Sequence, residues 1–389
     1  MTRRRLRVLF AVQGEGRGHM TQALALGGML RARGHAVVGC LVGASRQRGV
    51  PDFFRRTVGA PVETFESPTF VAGAGGRIRP AATVLQAAAR LGRYGRSLDR
   101  IGAAVDRTEP DVVVSFYEGL VGAYGLLRVP DAPVVAVGHQ FMMGHAGYPL
   151  LPGHPAQRLA MEAYTRLAGA GAAVRLALSL YAAPPDGRPG VRVVPPLLRS
   201  GLFALAGRPC DGSILAYLMD PSMAPALVAW SDRRPDVRLH VFTDADPHEH
   251  SPSLTFHGLS GRAFLERMAV ARGVICTAGF ESVSEAMWLG KPLLMVPTPN
   301  HYEQQCNAAD AAAVGAGMVS DRLDLDPFLD YLDGHRTDPA PFRAWVSEAE
   351  GRVLSAIEEA AGLPPPVSGD GLGGPVDVRV AVPAPAGAE

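Results

Sequence analysis

The sequence predicts an α/β protein made of two doubly wound parallel sheets, and three observations carry that expectation. Near the N-terminus an apolar run, a glycine-rich loop, a helical pattern and a second apolar run follow one another. From residue 213 onward a second alternation of short apolar runs and helical stretches begins. Between the two the chain stiffens at Pro195-Pro196, which places the domain boundary near residue 198.

Arg7 to Val12 is a short apolar run of the kind a buried parallel strand needs. Gly14 to Gly18 form a glycine-rich loop. Thr21 to Arg33 then has helical spacing, with Ala23, Leu24, Leu26, Met29 and Leu30 on one face and Gly34 as the stop. Ala36 to Val42 reads as the next strand, and Asp111 to Phe116 and Val134 to Gly138 as later strands of the same sheet. Val191 to Leu198 is a strand running into the double proline. In the second half the strand candidates are Ser213 to Leu218, Val237 to Phe242, Leu254 to His257, Val274 to Thr277 and Leu293 to Val296. Helices fit at Phe264 to Arg272 and Glu281 to Leu289. Pro341 to Ala361 is patterned as one amphipathic helix, and the Pro/Gly-rich stretch from residue 363 to the end is expected to be disordered.

With 389 residues, 47% of them apolar, two cores of ordinary size can be buried. Cys40, Cys210, Cys276 and Cys306 are scattered, with no CxxC pair, which argues against a disulfide framework or structural zinc. The basic start MTRRRLR runs into a strand pattern and not into a long apolar stretch with a cleavage site. The longest segment free of Asp, Glu, Lys and Arg, Ala132 to Gln157, carries His139, His145, His154 and prolines, a poor membrane span. A cytoplasmic protein is expected.

The net charge of +1 hides an asymmetry: residues 1–200 hold 25 Arg, no Lys and 12 acidic residues, a balance of +13, against −12 for the rest. One reading is Arg-rich composition from a GC-rich genome. The other is an N-terminal domain that meets an anionic partner, a phosphorylated acceptor or the inner face of an anionic membrane. Nucleic acid is not expected, since no binding motif appears and aromatics are only 7%.

Two constellations carry chemistry. In Gln13-Gly14-Glu15-Gly16-Arg17-Gly18-His19-Met20-Thr21 the glycines let backbone approach a ligand, and the following helix aims free N–H groups and a positive dipole end at the same space. The sixth position of a GxGxxG fingerprint is His19, and there is no Lys-Ser/Thr pair of a P-loop. His19 is either a general base, its reference pKa of about 6.5 suiting proton abstraction near neutrality, or a helix-start packing residue. In the second, a buried strand ends at Ala278, and Gly279, Phe280, Glu281 and Ser282 open a helix whose free N–H groups suit phosphate oxygens. Glu281 and Glu285 lie four apart on one helix face, and a carboxylate there can accept both hydrogen bonds of a ribose diol. After Pro297 come His301, Tyr302, Glu303, Gln304 and Gln305, acid and amide groups suited to hexose hydroxyls, and Asn307 is expected to open or cap a further helix.

Together these segments resemble GT-B glycosyltransferases, in particular the family 1 nucleotide-sugar transferases and the lipid II-forming N-acetylglucosaminyltransferase. The resemblance covers roughly residues 5–361 in architecture and is specific in the two motif segments and the linker. It implies two Rossmann-like domains facing a cleft: an acceptor domain over 1–198, a donor domain over 199–340, and a helix over 341–362 packing back on the first. It implies that His19 is the catalytic base, that Gly16 and Gly18 face the donor diphosphate, and that Arg199 reaches the phosphate from the linker. Gly279, Phe280 and Ser282 would form the phosphate-facing helix start, with Glu281 beside them. Glu285 would bind ribose, Phe264 and Leu265 the base, and Glu303, Gln304 and Gln305 the sugar. In two places the sequence departs from the pattern. Phe116 stands where relatives carry an acid that orients the histidine, so Glu118 is expected to take that part. The first strand of the donor domain ends in Met219-Asp220-Pro221-Ser222 where a Gly-Ser turn is usual, leaving Ser222 as the phosphate contact.

The implied reaction is inverting, metal-independent transfer of a hexosyl group from a nucleotide diphosphate sugar, UDP by default, to an acceptor that is apolar or lipid-linked. No cofactor beyond the nucleotide sugar and no metal is expected. Asp244-Ala245-Asp246 has DxD spacing but lies away from the donor motifs in sequence, and Asp324-Leu325-Asp326 has the same spacing and reads as a solvated loop. The alternatives at this point are a nucleotide-sugar 2-epimerase and a non-catalytic nucleotide-sugar-binding protein.

Overall fold

A computed structural model describes residues 4–44, 49–69, 71, 80–217, 223–243, 252–335 and 337–364. The chain forms two parallel sheets. The first holds seven strands, β1 (Arg7–Gln13), β2 (Ala36–Ala44), β3 (Val62–Glu66), β4 (Val112–Phe116), β5 (Val134–Gly138), β6 (Ala172–Leu178) and β7 (Val191–Val194), in the order β3-β2-β1-β4-β5-β6-β7. The second holds six, β8 (Ile214–Tyr217), β9 (Leu239–Phe242), β10 (Leu254–His257), β11 (Gly273–Cys276), β12 (Leu293–Met295) and β13 (Gly317–Val319), in the order β10-β9-β8-β11-β12-β13. The central strands β4, β5 and β11 are buried along their whole length because helices cover both faces of each sheet.

Both sheets change direction beside their first strand, β1 against β4 and β8 against β11. Loops leaving the carboxyl ends of such neighbours diverge and open a crevice. The glycine loop leaves β1, and the Ala278-Gly279 turn leaves β11. The turns after β4 and β11 have the same form. Tyr117 and Ala278 each take the left-handed conformation, at φ 55° and 58°, and the next residue caps a helix. A side chain at positive φ costs roughly 1–3 kcal/mol, so these turns are held by their surroundings.

The helix after the glycine loop begins at Arg17, with Gly16 as its cap, so His19 lies in the first turn instead of ahead of it. The C-terminal segment predicted as one helix is two, Ala340–Ser347 and Ala349–Ala360. The Ser347 hydroxyl bonds back to the Ala344 carbonyl at 2.6 Å, competition of the kind that bends a helix. The second of these helices lies on the first sheet, burying Val353, Leu354 and Ile357. Trp345 Nε1 donates to the Ser179 carbonyl at 2.9 Å, tying the first to the same side. The expectation of a disordered tail falls on residues 365–389, outside the described residues. Among the described residues no helix is long and apolar enough to cross a membrane.

Candidate active site

Where the two crevices meet, the first turn of the helix Arg17–Ala32 faces the first turn of the helix Phe280–Leu289. Gly18 makes the approach feasible: a Cβ there would lie 3.3 Å from Cγ of Glu281. His19 is partly exposed, and its ring stacks on Tyr117 at 5.7 Å with 24° between planes. Its Nδ1 lies 3.3 Å from Oε1 of Gln22, whose Nε2 donates to Glu281 Oε1 at 2.7 Å. Burial, and then the neighbouring His139, hold the His19 imidazole down at about 4, against the opposing pull of Glu303 and Gln22. His19 is thus neutral at physiological pH, the form a base requires.

Glu118 does not reach His19. It caps the helix Gly119–Arg128 through Leu120 N–H at 3.1 Å and accepts from Ser67 Oγ at 2.5 Å. This corrects the expectation that it replaces the missing acid: the hydrogen-bond partner of His19 is Gln22. Phe116 is a core residue packed edge-on against Phe10, and the side chain beside His19 from that turn is Tyr117. Burial, partly offset by Ser67 and Leu120, pushes the Glu118 carboxyl up to about 7, and its Oε2 is buried without a partner.

On the facing wall Glu285 is 2% exposed and holds Arg199 of the linker through Nε at 2.8 Å and Nη2 at 2.6 Å. Burial raises its pKa, and Arg199 opposes the rise. One turn earlier, burial and then Glu285 push Glu281 up to about 8. Gly279 has open space where a Cβ would stand, and Ser282 is part-exposed in the first turn. Phe280 lies flat on the His139 ring, 4.6 Å away at 4°.

The helix after β12, Tyr302–Ala313, carries Glu303 in its first turn where a loop was expected; its Oε1 accepts from Gln140 Nε2 at 3.1 Å and sits 3.1 Å from His139 Nε2. Burial alone would raise this carboxyl, but the hydrogen bond and charge of His139, with His301 and His19 behind it, bring it to about 2. Gln304 turns inward, its Oε1 accepting from the Thr298 N–H at 2.8 Å, and Gln305 Oε1 is buried without a partner. Asn307 neither opens nor caps a helix. It lies inside the helix Tyr302–Ala313, whose cap is His301, and it accepts from Tyr148 Oη at 2.8 Å. Phe264 and Leu265 are core residues of the helix Gly261–Val270, with Phe264 edge-on to Phe242. Ser222 and Asp244 to Asp246 lie outside the described residues. Asp326 is bound by Arg234 at 2.8 Å.

Three participants carried no strong sequence signal. Gln22 looks like any polar residue of a helix, and Tyr117 like the end of a strand. His139 stands in the segment Ala132 to Gln157, a poor membrane span by its sequence. Phe141, Met142, Met143 and Tyr148 of that stretch are buried in a core cluster, while His139 and Gln140 meet Glu303.

Residues 6–333 match the model of a family described as Glycosyl transferase family 1. Among curated relatives, the UDP-N-acetylglucosamine–N-acetylmuramyl-(pentapeptide) pyrophosphoryl-undecaprenol N-acetylglucosamine transferase of Nocardia farcinica is 26% identical over 335 residues, covering 80% of this chain and 82% of that one. The enzyme of the same name from Mycobacterium ulcerans is 27% identical, over 58% of this chain and 65% of that one. Among solved structures, CalG4, the calicheamicin glycosyltransferase, superposes with a TM-score of 0.59 at 16% identity, covering 92% of this chain and 99% of that one. MurG of Acinetobacter baumannii gives 0.54 at 17% identity, covering 92% and 100%. These likenesses in structure establish the fold, a GT-B arrangement of two parallel α/β domains.

Proposed function

Because the chain belongs to glycosyl transferase family 1, whose model spans residues 6–333, we propose that it moves a hexosyl group from a nucleoside diphosphate sugar to an acceptor hydroxyl, with inversion and with His19 as base. The observation that carries this reading is the meeting of His19 with the acidic helix start at Glu281 and with Glu303 in one cleft. The acceptor oxygen bonds to the anomeric carbon as the bond from that carbon to the diphosphate breaks. His19 takes the hydroxyl proton, and the diphosphate leaves with the electron pair. Free amides of the helix start at Gly279 and the Arg199 guanidinium meet the charge that develops there, without a divalent ion. Glu285 is the ribose acid and Glu303 the sugar-facing acid in this reading.

UDP is the proposed nucleotide, a choice supported by the names of the relatives from Nocardia and Mycobacterium. An apolar or lipid-linked acceptor, met at an anionic membrane surface, is supported by the same names and by the N-terminal half of the chain. There Leu85 and Leu91 are 74% and 67% exposed, close in sequence to the exposed Arg96 and Arg100, within a half that carries the +13 balance.

Incubation with UDP-N-acetylglucosamine or UDP-glucose, with water taking the place of the acceptor hydroxyl, tests the proposal through slow hydrolytic UDP release. The wild type releases UDP, and His19→Asn lowers the rate roughly 10²–10⁴-fold, the usual contribution of a positioned base, with nucleotide affinity retained. A His19→Asn variant that turns over at the wild-type rate removes His19 from the mechanism. An epimerised UDP-sugar formed without acceptor would replace transfer by isomerisation.

A further inference from the structure

We propose that Gln22 and Glu281 form with His19 a hydrogen-bonded relay across the cleft that fixes the imidazole tautomer, so that both are positioning residues and the base is set only when the domains are closed. The inference rests on His19 being the base.

Gln22 lies three residues beyond His19 on the same helix, so the two side chains share a face, and it is 1% exposed. A primary amide has one end that only donates and one that only accepts. Glu281 Oε1, 2.7 Å from the Gln22 amide, accepts whether the carboxyl is ionised or carries its proton on Oε2, the oxygen with no partner. With Glu281 Oε1 as the acceptor, the amide nitrogen of Gln22 faces Glu281 and its carbonyl oxygen faces His19. Opposite a carbonyl oxygen, Nδ1 must carry the hydrogen. That leaves the lone pair on Nε2, which has no hydrogen-bond partner among the described residues.

Among the described residues no other side chain is hydrogen-bonded to the ring: of its charged neighbours, Glu303 is held by Gln140 and His139. Tyr117 covers a face of the imidazole and not its edge, and Glu118 is engaged by Ser67 and Leu120. Imidazole in water favours the opposite tautomer, with hydrogen on Nε2, in which that nitrogen cannot accept a proton. The relay spans both domains: Gln22 belongs to the first sheet's layer and Glu281 to the second's. Opening the cleft breaks the 2.7 Å bond and frees the amide to turn over, so the base loses its orientation as the site opens. Glu281 thereby supplies from the other domain what Phe116 cannot.

The test is the nitrogen NMR spectrum of the full chain labelled with ¹⁵N-histidine at pH 7.5, His19 being assigned by its loss in His19→Asn. The wild type shows hydrogen on Nδ1 and a lone pair on Nε2. Gln22→Leu and Glu281→Leu move His19 toward the Nε2–H form, while Glu281→Gln, which keeps an acceptor oxygen, preserves the wild-type pattern. The exchange of Gln22→Glu with Glu281→Gln keeps it as well, since a carboxylate at position 22 accepts from Nδ1–H and an amide at 281 donates to that carboxylate. A wild-type His19 with hydrogen on Nε2, or an unchanged tautomer in Gln22→Leu, overturns the relay. UDP release from UDP-N-acetylglucosamine gives the kinetic arm: Gln22→Leu loses about tenfold or more in kcat with KM little changed, part of the ~10²–10⁴ a positioned base supplies. Full turnover in Gln22→Leu beside a dead His19→Asn sinks the relay alone. Full turnover in His19→Asn sinks the base assignment, and the tautomer result then stands or falls separately.

Discussion

Glu118 is a carboxyl sealed under the end of β2, where Gly43 has no Cβ: one built there would lie 2.1 Å from Oε2. Its pKa of about 7, above the ordinary 4.5, means that the fold prefers the neutral acid. The sign follows from linkage. The folded state binds the proton more tightly than the unfolded chain, so stability is full below about pH 4.5 and falls as pH rises toward 7. Glu118→Gln should therefore gain on the wild type between pH 5 and pH 8, by on the order of 3 kcal/mol at the upper end. Urea unfolding at the two pH values measures it, and a difference that does not change with pH would contradict it. His19 gives the converse case. Held near 4, it stays a free base down to about pH 5, so the acid limb of kcat/KM lies below that of an ordinary imidazole at 6.5. An acid limb at 6.5 would show that His19 is not the titrating base. Of the residues in the cleft, Glu285 and Glu303 were legible because they stand in ordered motifs. Gln22 was not, since its partner Glu281 is 259 positions away and no local pattern announces the pair.

Among the elements, strands with continuous apolar runs could be read directly, and β5 and β10 have the predicted bounds. β3, whose sequence is VETFE, and the three-residue β13 escaped because edge strands need little apolar surface, and the interior β6, AAVRLAL, also went unread, its apolar run interrupted by Arg175. The C-terminal helix Ala349–Ala360 read as amphipathic, but the face it uses was not visible. It is fixed by a buried pair: His35 Nδ1 accepts from the Leu6 N–H at 3.1 Å, so its Nε2 carries the hydrogen and donates to Glu358 at 3.0 Å. Glu358→Ala strands that buried donor and should cost about 1–3 kcal/mol, with Glu358→Gln costing less. Chemical denaturation decides, and a loss under 0.5 kcal/mol for Glu358→Ala would mean that the pair does not hold the helix.

At the scale of the molecule, three acids of the cleft are met by the chain's own groups: Glu281 by Gln22, Glu285 by Arg199, Glu303 by His139 and Gln140. Two of these three pairings join the layers of different sheets, so they hold the cleft shut as the side chains now lie. In the proposed reading a nucleotide sugar exchanges its hydroxyls and phosphates for these partners, with Glu285, buried and facing Arg199 from the linker, as the pivot. Calorimetric titration of UDP, dTDP, GDP and ADP into the wild type and into Glu285→Ala is the most direct measurement. One of the four, UDP by preference, should bind the wild type, and Glu285→Ala should bind it about tenfold or more weakly, as the loss of a charge-assisted hydrogen bond of about 1.5–3 kcal/mol requires. No binding by any of the four, or equal affinity in the variant, would contradict a nucleotide site in this cleft.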